Sequence, residues 1–387
     1  MSAAESERTE RGNEHTIESG ATPLELFFDL VFVFAFTQVT GFLSDHLTWD
    51  GVLQGAALLA ALWWAWVGYS WLTNAVPAEE AMPARLMILS AMAAMLVASL
   101  AIPDAFGYGG VLFGVAYFVV RLLQVALYAL ATGRIPETRR AILRLAPGFL
   151  GGPALLVVAG FLDGLAQGAF WAVALAIDYG VPLIRGVVGF HVRAGHFVER
   201  HGLVIILALG ESIVAIGAAE LEVDAGIILA AVLAIVLSAA LWWTYFDYVV
   251  LAAERRLTAA QGHEQVRLAR DSYSYLHLPM VAGIVFVALG IKKTLAHVGD
   301  PLEVIPAVAL CGGAALYLLG HNAFRLRDMG TVSVPQLIVA ALSCALVLVA
   351  VQVPALAALA ILAVLLAALA AFETVRWREI RRELRTH

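Results

Sequence analysis

The strongest constraint on this chain is a series of apolar stretches, each close to 20 residues long, running from Leu24 to residue 374. At 1.5 Å per residue, about 20 helical residues cross the roughly 30 Å of hydrocarbon in a bilayer. Twelve such stretches can be marked: 24–44, 51–73, 84–102, 109–131, 141–162, 167–188, 197–218, 226–249, 272–294, 303–323, 334–352 and 355–374. Apolar residues run round all sides of most of them, the pattern of helices packed among lipid and one another. A membrane β-barrel would instead show alternating segments of about 10 residues. The expected fold class is therefore all-α, a polytopic integral membrane protein with about 12 transmembrane helices. Composition agrees, with 61% hydrophobic and 14% charged residues, against about 45–50% and 25% in soluble domains. A disordered chain would need low hydrophobicity and high net charge.

The charge total of 24 Lys plus Arg against 30 Asp plus Glu gives −6. With no basic stripe, a nucleic-acid partner is not expected. The distribution of arginine says more. Arg134, Arg139, Arg140 and Arg144 lie between the fourth and fifth stretches, and Arg193 and Arg200 between the sixth and seventh. Arg255, Arg256, Arg267 and Arg270 follow the eighth, and Arg325 and Arg327 the tenth. The end of the chain adds Arg376, Arg378, Arg381, Arg382 and Arg385. The alternate connections at 45–50, 102–108, 163–164 and 219–225 contain no Lys or Arg. The positive-inside rule then places the even-numbered connections and both termini in the cytoplasm. Lys292 and Lys293, at the outer end of the ninth stretch, are the exception. Residues 1–22 are polar and acidic, unlike a secretory signal, and are expected as a disordered cytoplasmic tail; 376–387 form a basic one.

A repeat is visible. Ala61-Leu-Trp-Trp-Ala-Trp-Val-Gly-Tyr69 recurs as Ala240-Leu-Trp-Trp-Thr-Tyr-Phe-Asp-Tyr248, 179 residues later. With a small gap, Phe28-Asp29-Leu30-Val31 sits over Gly210-Glu211-Ser212-Ile213, and at an offset of 200 Tyr117 meets Tyr317 and Arg121 meets His321. The expected halves are 23–190 and 191–375. Both enter the membrane from one side, so the repeat is parallel, as in transporters with a site between two similar halves. The plainer reading of Trp–Trp is an aromatic belt at the interface.

A charge near the bilayer centre costs about 2.5–3.5 kcal/mol on insertion scales, so each one is a functional candidate. Arg121, Asp178 and Glu211 are expected near mid-membrane; Asp29, Arg85, Asp247, His277 and His321 in the cytoplasmic third; Glu25 at the interface. Glu25 and Asp29 are i, i+4 and share a helix face, where Arg85 or a bound cation could separate them. For Glu25 the ordinary reading is a helix start, where an acid favours the N-terminal dipole. Glu211, between Gly210 and Ser212, is the sharpest candidate, and a static pair with Arg121 is its plain alternative. Asp178 and Arg185 are i, i+7 and could form a span-stabilising pair. His191, His196 and His201 are spaced unlike a metal-binding face and read as an interfacial turn. His277 and His321 could shuttle protons or simply bond a carbonyl. Pro147 and Pro153 must bend or interrupt the fifth helix. Cys311 and Cys344 sit in apolar runs and read as small buried hydrophobes. No metal site, cofactor motif, nucleotide-binding loop or hydrolase signature is present.

The stretches Leu24-Glu-Leu-Phe-Phe-Asp-Leu-Val-Phe-Val-Phe34 and His196-Phe-Val-Glu-Arg-His-Gly-Leu, continuing to Leu209-Gly-Glu-Ser-Ile-Val214, resemble the bacterial low-temperature-requirement protein A (LtrA) family. The Tyr273–Pro279 stretch and the ALWW segments fit as well. The resemblance covers nearly the whole chain after the tail. It implies a multi-pass protein of the bacterial inner membrane, loosely linked to growth in the cold, with no established substrate. The residues it carries over are motif positions: Glu25, Asp29, Glu199, Arg200, Glu211 and Ser212.

The resulting expectation is a proton- or ion-linked secondary transporter, with Glu211 and Asp29 titrating and Arg121 as countercharge or anion-binding group. Its partners would be the lipid bilayer and protons, small ions or a solute. A membrane-embedded enzyme acting on lipid would need a convergent nucleophile, base or metal set, and no such motif is found. A sensor or scaffold would usually carry a soluble output domain. Oligomeric state is left open.

Overall fold

In a computed structural model of the chain, residues 20–75, 81–131, 136–217, 224–378 and 382 are described. The segment before Gly20, Arg134, Arg381 and Arg385 lie outside the described residues. Among the described residues the structure is helical, with no strand.

Six helices form the first set: α1 (Pro23–Asp45), α2 (Trp49–Ala75), α3 (Met82–Leu100), α4 (Gly110–Ala131), α5 (Pro136–Ala159) and α6 (Gly164–Arg185). A second set follows: α7 (Ala194–Gly217), α8 (Ala225–Ala259), α9 (Gly262–Ala296), α10 (Val304–Met329), α11 (Val334–Ala350) and α12 (Ala355–Arg376). Every stretch expected from the sequence is a helix. Eleven are long and apolar enough to cross a membrane, whereas α11 has only 17 residues, about 26 Å. Its two ends nevertheless reach opposite layers of the bundle. Ser333, just before it, bonds Glu373 of α12, and Ala350 at its other end accepts from Leu302 in the α9–α10 connection.

Local sequence starts the helices in ordinary ways. Thr22 caps α1, accepting from the Glu25 amide while its own amide donates to the Glu25 carboxylate, with Pro23 pre-set in the first turn. Asp224 and Ser333 cap α8 and α11. α5 stays one helix through Pro147 and Pro153, so of the two expected outcomes, a bend or an interruption, there is no interruption. Three wide π turns instead fall in α8 (Tyr245–Val249), α9 (Ala269–Tyr275) and α10 (Val308–Gly312).

The packing has a six-helix period. α1 packs on α2 and α3, α3 on α4, α4 on α5, α5 on α6, and α6 returns to α2. Six places on, α7 packs on α8 and α9, α9 on α10, α10 on α11, α11 on α12, and α12 returns to α8. The two sets meet where α1 lies against α7, flanked by α2 and α9. Close crossings use glycine: a Cβ at Gly283 of α9 would stand 2.5 Å from the Gly313 carbonyl oxygen of α10.

Outward faces are apolar, with Leu89 and Leu96 on α3, Val232 and Ile235 on α8, and Leu342 and Leu348 on α11 all exposed. Cys344 is among the exposed residues, correcting the expectation that both cysteines are buried; Cys311 is buried. Such a surface suits lipid and not water. The bundle end where α1 and α7 begin is called the near end below.

Candidate functional site

α1 and α7 run in the same direction, and their polar residues meet at matched depth. At the near end His196 Nε2 lies 3.0 Å from Glu25 Oε2. One turn deeper Arg200 Nη2 donates to Asp29 Oδ1 at 2.9 Å. Both pairs are 171 residues apart in sequence. Asp29, 1% exposed, also accepts from Trp66 Nε1 at 2.9 Å, and the Arg200 guanidinium sits 5.7 Å from the centre of the Trp66 ring. Two donors and a π face fix this ion pair, as a buried charge requires.

Farther along, Thr37 Oγ1 donates to Glu211 Oε2 at 2.7 Å. Glu211 is 2% exposed and has no ion-pair partner among the described residues. Ser212 beside it is buried with its hydroxyl unpartnered. Glu211 stands six residues before Gly217, the last described residue of α7, about 9 Å along the helix.

A second polar centre lies within the first set. Arg121 on α4, 1% exposed, donates from Nη1 to Gln124 Oε1 at 2.7 Å and to the Trp64 carbonyl at 3.3 Å. Its Nη2 is 3.5 Å from Asp178 Oδ1 on α6, while Nε and Nη2 have no hydrogen-bond partner. Arg121, Gln124 and Trp64 border a cavity of about 470 Å³, counting its mouth, walled also by Trp71, Phe149 and Phe190, with Arg270 in its lining. A Cβ at Gly68 would fall 2.1 Å from the Gln124 amide nitrogen, so any larger residue there would displace that side chain.

The third group gathers around the π turns of the second set. His277 Nδ1 is 3.0 Å from the Ser272 carbonyl, which can only accept, so Nε2 takes the Tyr245 hydroxyl at 2.9 Å. The His201 ring lies 5.2 Å from that of His277, and its Nδ1 bonds the Phe197 carbonyl. His321 Nδ1 meets Gln336 Oε1 at 2.9 Å, and the Gln336 amide donates to Glu373. Asp247, half-buried, borders a smaller space with Arg325 and Glu373. Among the described residues no group of three or more His, Cys, Asp or Glu could hold a metal ion.

Several expected pairings are therefore replaced. Arg121 pairs with Asp178 and not with Glu211. Asp178 does not pair with Arg185, which donates to the Arg144 carbonyl. Arg85 is exposed on α3, and the cations beside Glu25 and Asp29 come from His196 and Arg200. The connection bearing His191, His196 and His201 is not one interfacial turn, since His191 is exposed while His196 and His201 are buried in α7. Asp29 stands level with Arg200 and not with Glu211. Glu25 has the helix-start role expected and adds a histidine contact. Glu199 is exposed, against Gly20.

Sequence reading missed Thr37, Gln124 and Tyr245. It also missed a legible signal. Glu25-x-x-x-Asp29 and His196-x-x-x-Arg200 open the first and seventh helices with opposite charges at the same spacing.

The helices, their apolar outer faces and the buried charges together define a polytopic α-helical integral membrane protein. Comparison with known proteins places it further. The model of the bacterial low temperature requirement A protein (LtrA) family matches residues 20–371, and the chain belongs to that family. It is 32% identical over 324 residues to the uncharacterized protein RA0937 of Rhizobium meliloti (strain 1021), covering 79% of this chain and 77% of that one. No solved structure matches it.

Proposed function

We propose that the chain is a proton-linked secondary transporter of the bacterial inner membrane, built as two parallel six-helix halves. On this reading the chain crosses the membrane 12 times, with the arginine-bearing near end and both termini in the cytoplasm. The reading is supported by the six-helix period of neighbour contacts and by the span of α11 between the two end layers. The observation that carries it is the file of buried polar groups between α1 and α7, ending at a carboxyl group with no cation at ion-pair distance among the described residues. Asp29 is held by Arg200 and Trp66, so releasing it means breaking an ion pair. Glu211 meets a hydroxyl instead, and can take up or lose a proton without breaking one. Asp29 thus fixes the crossing of α1 and α7, and Glu211 carries the proton.

The test is proton flux into proteoliposomes, read with an entrapped pH dye, for wild type and Glu211→Gln at equal insertion. Flux that falls at least tenfold in the variant is expected. Unchanged flux in Glu211→Gln would remove Glu211 from the path, and no flux from wild type under any imposed ion or pH gradient would leave the transporter reading without support.

A further inference from the structure

We infer that the aromatic cavity beside Arg121 is a binding site for a small organic monoanion, a carboxylate on a flat apolar body. The inference goes beyond the transport proposal, since binding holds whether or not the ligand or a proton is moved.

Three features fit this class of ligand. The first is the arginine. Arg121 is buried and borders the cavity, and two of its nitrogens, Nε and Nη2, have no hydrogen-bond partner. A carboxylate needs an adjacent pair of N–H donors of this kind. Asp178 stands 3.5 Å from Nη2 and neutralises part of the charge without bonding it.

The second is the local charge. The charged side chains that line the cavity, Arg121 and Arg270, are both cationic, and no carboxylate is among its lining residues. Arg270 and Arg327 share the single carboxylate of Asp271, and Asp178 stands beside Arg121, so the charge left for a ligand to meet is small and suits a monoanion. Arg140 and Arg144 are exposed and border a neighbouring surface pocket with Val188, next to Val187 of this lining, and would draw anions toward it.

The third is the wall. Trp64, Trp71, Phe149 and Phe190 give faces for a ring or short apolar body, while Gln124 and Ser274 supply the remaining polar atoms. Concave, mostly apolar sites with a few placed polar groups are where small molecules bind.

The probe is 2-naphthoate, with the neutral 2-naphthamide as control, titrated calorimetrically into the full chain in lipid nanodiscs. One saturable naphthoate site per chain is expected, binding at least tenfold more tightly than the amide. Arg121→Gln alone would strand Asp178, so the variant is Arg121→Gln with Asp178→Asn, which leaves no buried charge unpaired. It should lose naphthoate affinity at least tenfold and leave naphthamide unchanged, while eluting as a single species of wild-type size. Equal binding of acid and amide by wild type, or undiminished naphthoate binding by the folded double variant, would overturn the proposal. Nanodiscs with and without phosphatidylglycerol separate a free acid from a lipid headgroup. Equal affinity in both supports the free acid, and binding abolished by the anionic lipid would overturn it. Binding of naphthoate without proton flux would count against the transport reading alone.

Discussion

Each six-helix set holds a tyrosine whose hydroxyl bonds a backbone carbonyl of another helix, and beyond that the two sets diverge. Tyr117 of α4 donates to the Ala61 carbonyl of α2 at 2.9 Å, and Tyr317 of α10 donates to the Leu241 carbonyl of α8 at 2.7 Å. One turn on, the first set carries Arg121 and the second His321. The first leaves a cavity of about 470 Å³ under its arginine. The second holds about 240 Å³, bordered by Trp243, Asp247, Arg325, Glu373 and Trp377. By the ALWW pairing, Gly68 in the first set corresponds to Asp247 in the second, and Gly68 is where a side chain would strike Gln124. Arg325 lies between the Tyr248 and Trp377 rings, 5.9 and 5.7 Å from their centres. A similar order of helix packing thus carries a larger, aromatic-walled cavity beside an arginine on one side and a smaller space on the other. The difference lies in a few side chains and not in the order of packing.

The sharpest way to break this comparison is to remove the two divergent groups. Arg121→Met leaves Asp178 buried and unpaired, and should cost about 3–5 kcal/mol of stability. His321→Leu removes one neutral hydrogen bond, while Gln336 Oε1 keeps its bond from Asn322, and should cost about 0.5–1.5 kcal/mol. Thermal unfolding in detergent measures both, and equal losses would mean that the two centres are not different in kind. Close backbone crossings give an intermediate effect. Gly283→Ala in the second set and Gly114→Ala in the first would each push a Cβ against backbone, 2.5 and 2.7 Å from the Gly313 and Leu156 oxygens. Each should lose about 1–3 kcal/mol in the same assay, and a neutral result at either would show that crossing to be loosely packed. The smallest effect sharpens the similarity. Tyr117→Phe and Tyr317→Phe each remove a hydroxyl that bonds a carbonyl and meets one side chain, Asp178 Oδ2 at 3.4 Å in the first set and Thr244 Oγ1 at 3.3 Å in the second, and each should lose about 0.5–1.5 kcal/mol. A marked difference between them would count against the equivalence of the two positions.

Much of the candidate site was legible residue by residue, but not as pairs. Arg121, Asp178, Glu211 and Asp29 stand out in the sequence because charges inside apolar stretches are rare and costly. Their partners do not follow from depth alone. Arg121 and Glu211 are both buried on helices of the bundle, yet α4 packs on α3 and α5 while α7 packs on α1. The wide turns at Tyr245–Val249 and Ala269–Tyr275 have no signal as plain as a proline, although they set the stretch from which His277 meets Tyr245. The two prolines of α5, which do give a signal, leave that helix unbroken.

The sequence by itself determined that this chain is a bundle of membrane helices, where those helices lie, and that it resembles the LtrA family. Hydrocarbon offers no partner to a backbone N–H or C=O, so length and apolarity are enough to specify a helix. Only the tertiary structure decided which buried charges meet, that Arg200 and not Arg85 holds Asp29, and that an aromatic cavity opens beside Arg121. Those outcomes depend on which helices are neighbours and how each is turned about its axis. Both are set by contacts summed over the whole bundle, and no single stretch of sequence contains them.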